Sequence, residues 1–212
     1  MLKIKICGLF REEDIEAANE ARPDFIGFVF AESKRRVSPK QAAHLRARLV
    51  ADVVPVGVFV NAAVAEVVAL YKEGVIGVAQ LHGQEDRDYV AALRKACVVP
   101  IIKAVRVDAK VKMADLFQYD YADYLLFDNG SGGTGRAFGW EIFSRRASHG
   151  FNGFRVPCFL AGGIGIGNIA KAIALHPYGL DISSGAETDG LKDKKKMLQL
   201  VKQVRDTFNF SR

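Results

Sequence analysis

Eight short β-branched runs alternate with longer helical patterns along the chain, at 2–7, 25–30, 53–60, 77–81, 99–105, 124–128, 158–161 and 180–182. The runs lack strict apolar–polar alternation, as expected of parallel strands buried on both faces. Strand–helix alternation predicts a parallel α/β sheet, and eight such units predict closure into a (β/α)8 TIM barrel. Helices are expected near 12–21, 39–49, 63–72, 87–96, 109–117, 140–147, 168–175 and 194–208. Ser38-Pro39 is a good helix start, a hydroxyl cap before a proline at the first helical position. A length of 212 suits one such barrel, and no linker or low-complexity tract divides it, so 1–212 is expected to form a single domain.

Composition narrows the function classes. Half of the residues are hydrophobic, enough for a sizeable core. Lys3 and Lys5 interrupt the first apolar run, so no signal peptide or membrane span is expected, and the chain reads as soluble and cytoplasmic. Cys7, Cys97 and Cys158 are odd in number and contain no CxxC pair, which favours reduced thiols over disulfides. The net charge of +6 raises the question of nucleic acid. Its clearest basic run, Lys192 to Lys196, opens a helical stretch without interleaved aromatics and reads as a solvated helix face. A modestly basic surface also attracts a small anionic substrate.

In a barrel of this kind, reacting groups sit at the C-terminal ends of the strands. Cys7 ends the first run, where it is either a packed core thiol or, with a lowered pKa, a nucleophile or base. Asp128 ends the sixth, after four apolar residues; burying it unpaired would be costly, so a general acid is favoured over a cap or ion-pair partner. The stretch from Gly130 to Gly135 matches GxGxxG, but no helix opens from it and no acidic residue follows at dinucleotide spacing, so an active-site loop fits better. Gly162-Gly163 and Ser183-Ser184-Gly185 follow the seventh and eighth runs, the expected places for phosphate-binding loops. Arg35, after the second strand, could grip a carboxylate with two hydrogen bonds. Gln80 and His82 end the fourth strand, with His82 either structural or a substrate-orienting donor. His44, His149 and His176 lack a carboxylate or Cys at ligand spacing, so no metal site is expected.

These residues resemble the phosphoribosylanthranilate isomerase family over nearly the whole chain. The resemblance runs through Lys5-Ile6-Cys7-Gly8, Gly27-Phe28-Val29-Phe30, Ser33-Lys34-Arg35, Val56 to Asn61, Gln80-Leu81-His82-Gly83, Phe127-Asp128, Gly132-Gly133-Thr134-Gly135, Ala161-Gly162-Gly163, Asp181 to Gly185, and Glu187. It implies an Amadori rearrangement of N-(5'-phosphoribosyl)anthranilate in tryptophan biosynthesis, with Cys7 as general base and Asp128 as general acid. It further implies Arg35 on the anthranilate carboxylate. Gln80, His82, Gly133, Gly162, Gly163, Asp181, Ser183, Ser184 and Gly185 would complete the substrate site. No cofactor or metal is implied, and neither nucleic acid nor membrane is an expected partner; the chain would be a monomer or homodimer.

The chain departs from the family pattern at Phe10, where a Thr is common, and at Gly139, where an Asp is common. Phe10 is expected to crowd the first loop and Gly139 to remove a helix cap. Ile164-Gly165-Ile166-Gly167 is richer in glycine than the pattern. The rivals are a histidine-pathway phosphosugar isomerase, which resembles this reaction but uses two aspartates, and indole-glycerol-phosphate synthase, which uses Lys and Glu. A non-catalytic barrel that binds phosphorylated metabolites is the alternative from another class.

Overall fold

The computed structural model describes residues 1–107, 111, 116–128, 140, 143 and 150–206. Eight parallel strands close in sequence order, with β1 pairing both β2 and β8. They are β1 (Lys3–Cys7), β2 (Phe25–Val29), β3 (Val54–Phe59), β4 (Val78–Leu81), β5 (Ile101–Arg106), β6 (Tyr124–Asp128), β7 (Cys158–Leu160) and β8 (Gly179–Ile182). Between and after them run helices α1 (Glu12–Ala21), α2 (Pro39–Arg48), α3 (Val64–Lys72), α4 (Arg87–Ala96), α5 (Ile169–Ile173) and α6 (Lys194–Asp206). The eight-stranded barrel stands as the sequence predicts. Of the two helices expected near 109–117 and 140–147, most residues lie outside those described, as does the 130–135 loop. Among the described residues, no helix is long and apolar enough to cross a membrane.

Local chemistry sets the helix ends. Ser38 accepts a hydrogen bond from Gln41 N at 3.1 Å, and Asp86 caps α4 by accepting from Tyr89 N at 2.9 Å; each such cap contributes about 1 kcal/mol. Asp14 in the first turn of α1 accepts from the backbone N–H groups of Phe10 and Arg11. Phe10 is accommodated in the first loop: its ring packs on the core, and its carbonyl accepts from Gln41 Nε2 at 2.7 Å. Gly139 lies outside the described residues.

Two apolar layers follow from strand alternation. One set of strand residues, with Ile4, Ile6, Ile26 and Phe28 among them, packs against the helices. The alternate set, including Val56, Val78, Ile102, Leu126 and Phe159, fills the barrel interior. Lys5, Cys7, Gln80, Asp128 and Asp181 share that second parity, because register pairs Lys5 with Asp181, Cys7 with Gly27, Gly27 with Val56, Gln80 with Ile102, and Leu126 with Phe159. The interior is therefore apolar through its middle and polar on the β8–β1 side and at its C-terminal mouth.

A buried ion pair reaching from β5 knits two mouth loops. Lys103 donates to Glu85 at 3.1 Å and to the carbonyl of Gly83 at 2.7 Å, while Glu85 also accepts from Asn61 N and Gly83 N. Every donor and acceptor is met within the fold, which is what makes a buried charge tolerable.

Candidate active site

Cys7 closes β1 facing inward, with only 8% of its surface exposed. Space for its sulfur comes from Gly27 on the neighbouring strand, where a Cβ would stand 2.6 Å from Sγ. Two residues back on the same face, Lys5 is wholly buried and its ammonium donates to Asp181 Oδ1 at 2.9 Å. Burial pulls Lys5 down, but the Asp181 carboxylate and Cys7 outweigh it, and the ammonium is held above its ordinary range. Burial pushes the Cys7 thiol up, and Lys5 opposes this without cancelling it. The lowering that a reactive thiolate suggested is thus absent; desolvation wins over the lysine charge.

Asp128 ends β6. Around the barrel, β8 and β7 separate β1 from β6, so the loops after β7 and β8 lie on the shorter arc between Cys7 and Asp128. His82 Nε2 stands 3.4 Å from Asp128 Oδ2, longer than an ordinary hydrogen bond. Its other ring nitrogen, Nδ1, lies 2.9 Å from Gln80 Nε2, which fixes the ring and leaves Nε2 to carry the proton toward Asp128 when the amide donates. Arg106 is the register partner of Asp128, and it brings a cation to the same rim.

The β7 and β8 loops interlock. Gly162 and Gly163 adopt φ of 89° and 69°, a conformation that L side chains rarely take. Asn168 braces this loop by accepting from Gly165 N at 2.8 Å and donating to the Gly163 carbonyl at 2.9 Å. After β8, Ser184-Gly185-Ala186 forms a 3-10 turn. A Cβ on Gly185 would stand 1.8 Å from the Ile164 carbonyl oxygen, so the two loops touch through backbone alone. Ser183 Oγ donates to the Cys7 carbonyl at 3.2 Å, tying the eighth loop to the first strand.

Arg35 is brought to this rim too, but it is already paired. Its Nε and Nη2 donate to the two oxygens of Glu187 at 2.6 and 2.7 Å. Glu187 lies in a two-stranded hairpin, β9 (Glu187–Thr188) and β10 (Leu191–Lys192), and Lys192 Nζ donates to the same carboxylate. Burial pushes Glu187 up, but the hydrogen bonds from Arg35 and Lys192 outweigh it and hold the carboxyl below its usual range.

Of the expected site residues, Cys7, Arg35, Gln80, His82, Asp128, Gly162, Gly163, Asp181, Ser183, Ser184 and Gly185 all lie at the C-terminal mouth or just beneath it, whereas Gly133 lies outside the described residues. The basic run at Lys192 to Lys196 requires correction. Lys192 is buried in an ion pair and Lys196 Nζ donates to the Glu187 carbonyl, so the run is only partly a solvated face. His44 also has a carboxylate partner, Glu12 Oε1 at 2.7 Å on the surface, which sequence spacing did not show. Lys5, Lys192 and the slot at Gly27 were missed as site features. Asp189-Gly190, a dipeptide typical of two-residue hairpin turns, is the available signal for the turn between Thr188 and Leu191; both residues take positive φ, 52° and 80°.

Comparison with known proteins agrees with this geometry. Residues 4–203 match a protein family described as N-(5'-phosphoribosyl)anthranilate (PRA) isomerase. The chain is 43% identical over 210 residues to the N-(5'-phosphoribosyl)anthranilate isomerase of Endomicrobium trichonymphae, covering 97% of this chain and 99% of that one. It superposes on the phosphoribosyl anthranilate isomerase of Thermotoga maritima with a TM-score of 0.85 and 31% identity, over 97% of this chain and 100% of the other. A further phosphoribosyl anthranilate isomerase structure, in complex with reduced 1-(o-carboxyphenylamino)-1-deoxyribulose 5-phosphate, matches with a TM-score of 0.83 and 29% identity, over 97% and 100% of the two chains.

Proposed function

The chain belongs to the N-(5'-phosphoribosyl)anthranilate isomerase family, and from that premise we propose that Cys7 and Asp128 are the base and acid of its Amadori rearrangement. The reaction converts N-(5'-phosphoribosyl)anthranilate to 1-(2-carboxyphenylamino)-1-deoxyribulose 5-phosphate, a step of tryptophan biosynthesis. The observation that carries the assignment is the order around the barrel: base strand, two phosphate-loop strands, acid strand. A phosphate anchored by the loops after β7 and β8 suspends the attached ribose between Cys7 and Asp128.

Asp128 gives its proton to the furanose ring oxygen as the C1–O bond breaks, and the anilino nitrogen lone pair closes the C1=N bond of a protonated Schiff base. Cys7 thiolate removes the proton from C2; the C2–H electrons form C1=C2 and return the iminium electrons to nitrogen. The resulting enolamine gains a proton at C1 and loses one from the C2 hydroxyl, which leaves the ketone. Lys5 supplies the positive charge beneath the thiolate, and Asp181 keeps Lys5 charged and aimed along the strand. Phosphate binding rests on backbone N–H groups, because Gly162, Gly163 and Gly185 let the chain approach an anion closely.

The unpaired thiols Cys7, Cys97 and Cys158 suit a reducing compartment, and the reaction is assigned to the cytoplasm. Replacing Cys7 with Ser tests the base directly, since a hydroxyl is far less acidic than a thiol. Turnover is expected to fall by about a hundredfold or more, the contribution typical of a positioned base; a Cys7→Ser enzyme with full turnover would remove Cys7 from that role.

A further inference from the structure

We propose that Glu187, itself held by Lys192, is a positioning residue that aims one edge of the Arg35 guanidinium at the substrate carboxylate, making the Glu187–Lys192 hairpin the element that selects a substrate bearing that carboxylate. The inference rests on the reading of Arg35 as the carboxylate ligand and adds the device that orients it.

A guanidinium offers two planar edges, each able to take a carboxylate through parallel hydrogen bonds. The Nε–Nη2 edge of Arg35 is occupied by Glu187 at 2.6 and 2.7 Å. Among the described residues, no hydrogen bond is made by Nη1, so Nη1 and the second N–H of Nη2 form the edge left to meet a second carboxylate. The stem is fixed as well. Gly8 has φ +83°, and a Cβ there would stand 2.5 Å from Arg35 Cδ, so the methylenes lie against bare backbone one residue beyond Cys7. With 12% of its side chain exposed, Arg35 is a restrained group rather than a mobile surface arginine.

Charge explains the lysine. Glu187 alone would neutralise Arg35 and repel an incoming carboxylate. Lys192 hydrogen-bonds the same carboxylate from a wholly buried position, so the three groups together keep one net positive charge. Lys192 also donates to the Ser183 carbonyl at 3.2 Å, and Ser183 Oγ donates to the Cys7 carbonyl at 3.2 Å. One chain of hydrogen bonds therefore runs from the carboxylate-reading arginine through the eighth loop to the strand of the base.

The test is calorimetric binding of two probes, reduced 1-(o-carboxyphenylamino)-1-deoxyribulose 5-phosphate and its phenylamino counterpart without the carboxyl group. The proteins are the parent, Arg35→Met, Glu187→Gln, Lys192→Met and the double variant Arg35→Met/Glu187→Gln. Glutamine keeps the volume but presents an amide N–H where the second oxygen stood, breaking the two-bond grip. The parent should prefer the carboxylated probe, and Glu187→Gln and Lys192→Met should each shrink that preference by about tenfold or more, as loss of a charge-assisted pair does. Affinity for the other probe should hold within a few-fold, and the double variant should be no worse than Arg35→Met. Simple charge counting predicts the opposite sign for Glu187→Gln, because removing a negative charge would strengthen carboxylate binding. A preference that rises or stays level in Glu187→Gln, while lost in Arg35→Met, overturns the positioning role and leaves Arg35 as ligand. An intact preference in Arg35→Met removes the Arg35 reading itself. Equal loss of affinity for both probes means a structural role only and overturns the proposal. Lys192→Met gives an independent variant should Glu187→Gln not fold.

Discussion

At the scale of single residues, the proposed chemistry turns on a thiol whose surroundings work against its ionisation. Burial raises Cys7, Lys5 lowers it and Asp181 raises it again, with a net upward direction. The active form of a base is the deprotonated one, so kcat/KM should climb with pH along a limb set by the free enzyme. That limb should lie above the ordinary thiol value of about 8.5. Replacing the pair together, Lys5→Met with Asp181→Asn, avoids leaving one buried charge alone and removes the larger, favourable influence of the lysine. The limb should then move to higher pH and activity at pH 7 should fall, read from a pH–rate profile; an unmoved limb would mean that Lys5 does not act on Cys7. None of this was legible beforehand. Lys5 was visible only as part of a motif, because strand parity places it inside the barrel while its charge argues for the surface. Its partner stands 176 positions along the chain, beyond any local pattern.

Among the elements, the most local signals translated most faithfully. The ranges expected for the first and fourth helices match α1 and α4, where acidic first turns or an Asp cap mark the start. The β9–β10 hairpin escaped notice because two-residue strands carry no periodicity, and the neighbouring lysines drew attention to the helix instead. The seventh and eighth loops were found by their glycines, although their mutual contact was not. That contact carries a prediction. A Gly185→Ala methyl would meet the Ile164 carbonyl oxygen at 1.8 Å and Gly165 Cα at 2.8 Å, both backbone atoms that cannot rotate away. The loops must separate, at about 1–3 kcal/mol of stability, as is typical of overpacking. KM should rise and competitive inhibition by inorganic phosphate should weaken by about tenfold or more, measured by steady-state kinetics. Unchanged phosphate inhibition would move the phosphate site elsewhere.

For the molecule as a whole, alternation of eight strand runs was enough to give the barrel, because parallel strands and intervening helices leave few ways to close. What alternation could not give is how the first and last elements are fastened. Asp24 does this beneath the barrel: it accepts from Lys3 Nζ, Ile4 N and Arg205 Nη2, joining β1, the start of β2 and α6. Burial pushes its carboxyl up, but these hydrogen bonds and the nearby Arg205 charge outweigh burial and hold it below its usual range. A folded pKa below the unfolded value of about 3.9 means that the contribution is complete above that value. It is lost as pH falls through the folded pKa. Asp24→Asn should therefore lower Tm at pH 7, with the gap to the parent narrowing as pH drops below about 4; a gap constant with pH would show that ionisation of Asp24 is not what fastens the closure. Whether Cys7 and Asp128 work as base and acid across a ribose held by the loops between them is read by following the loss of phosphoribosylanthranilate fluorescence with the parent, Cys7→Ala and Asp128→Ala. Turnover by the parent and its collapse in both folded variants is the predicted result; either variant turning over at the parent rate would contradict it.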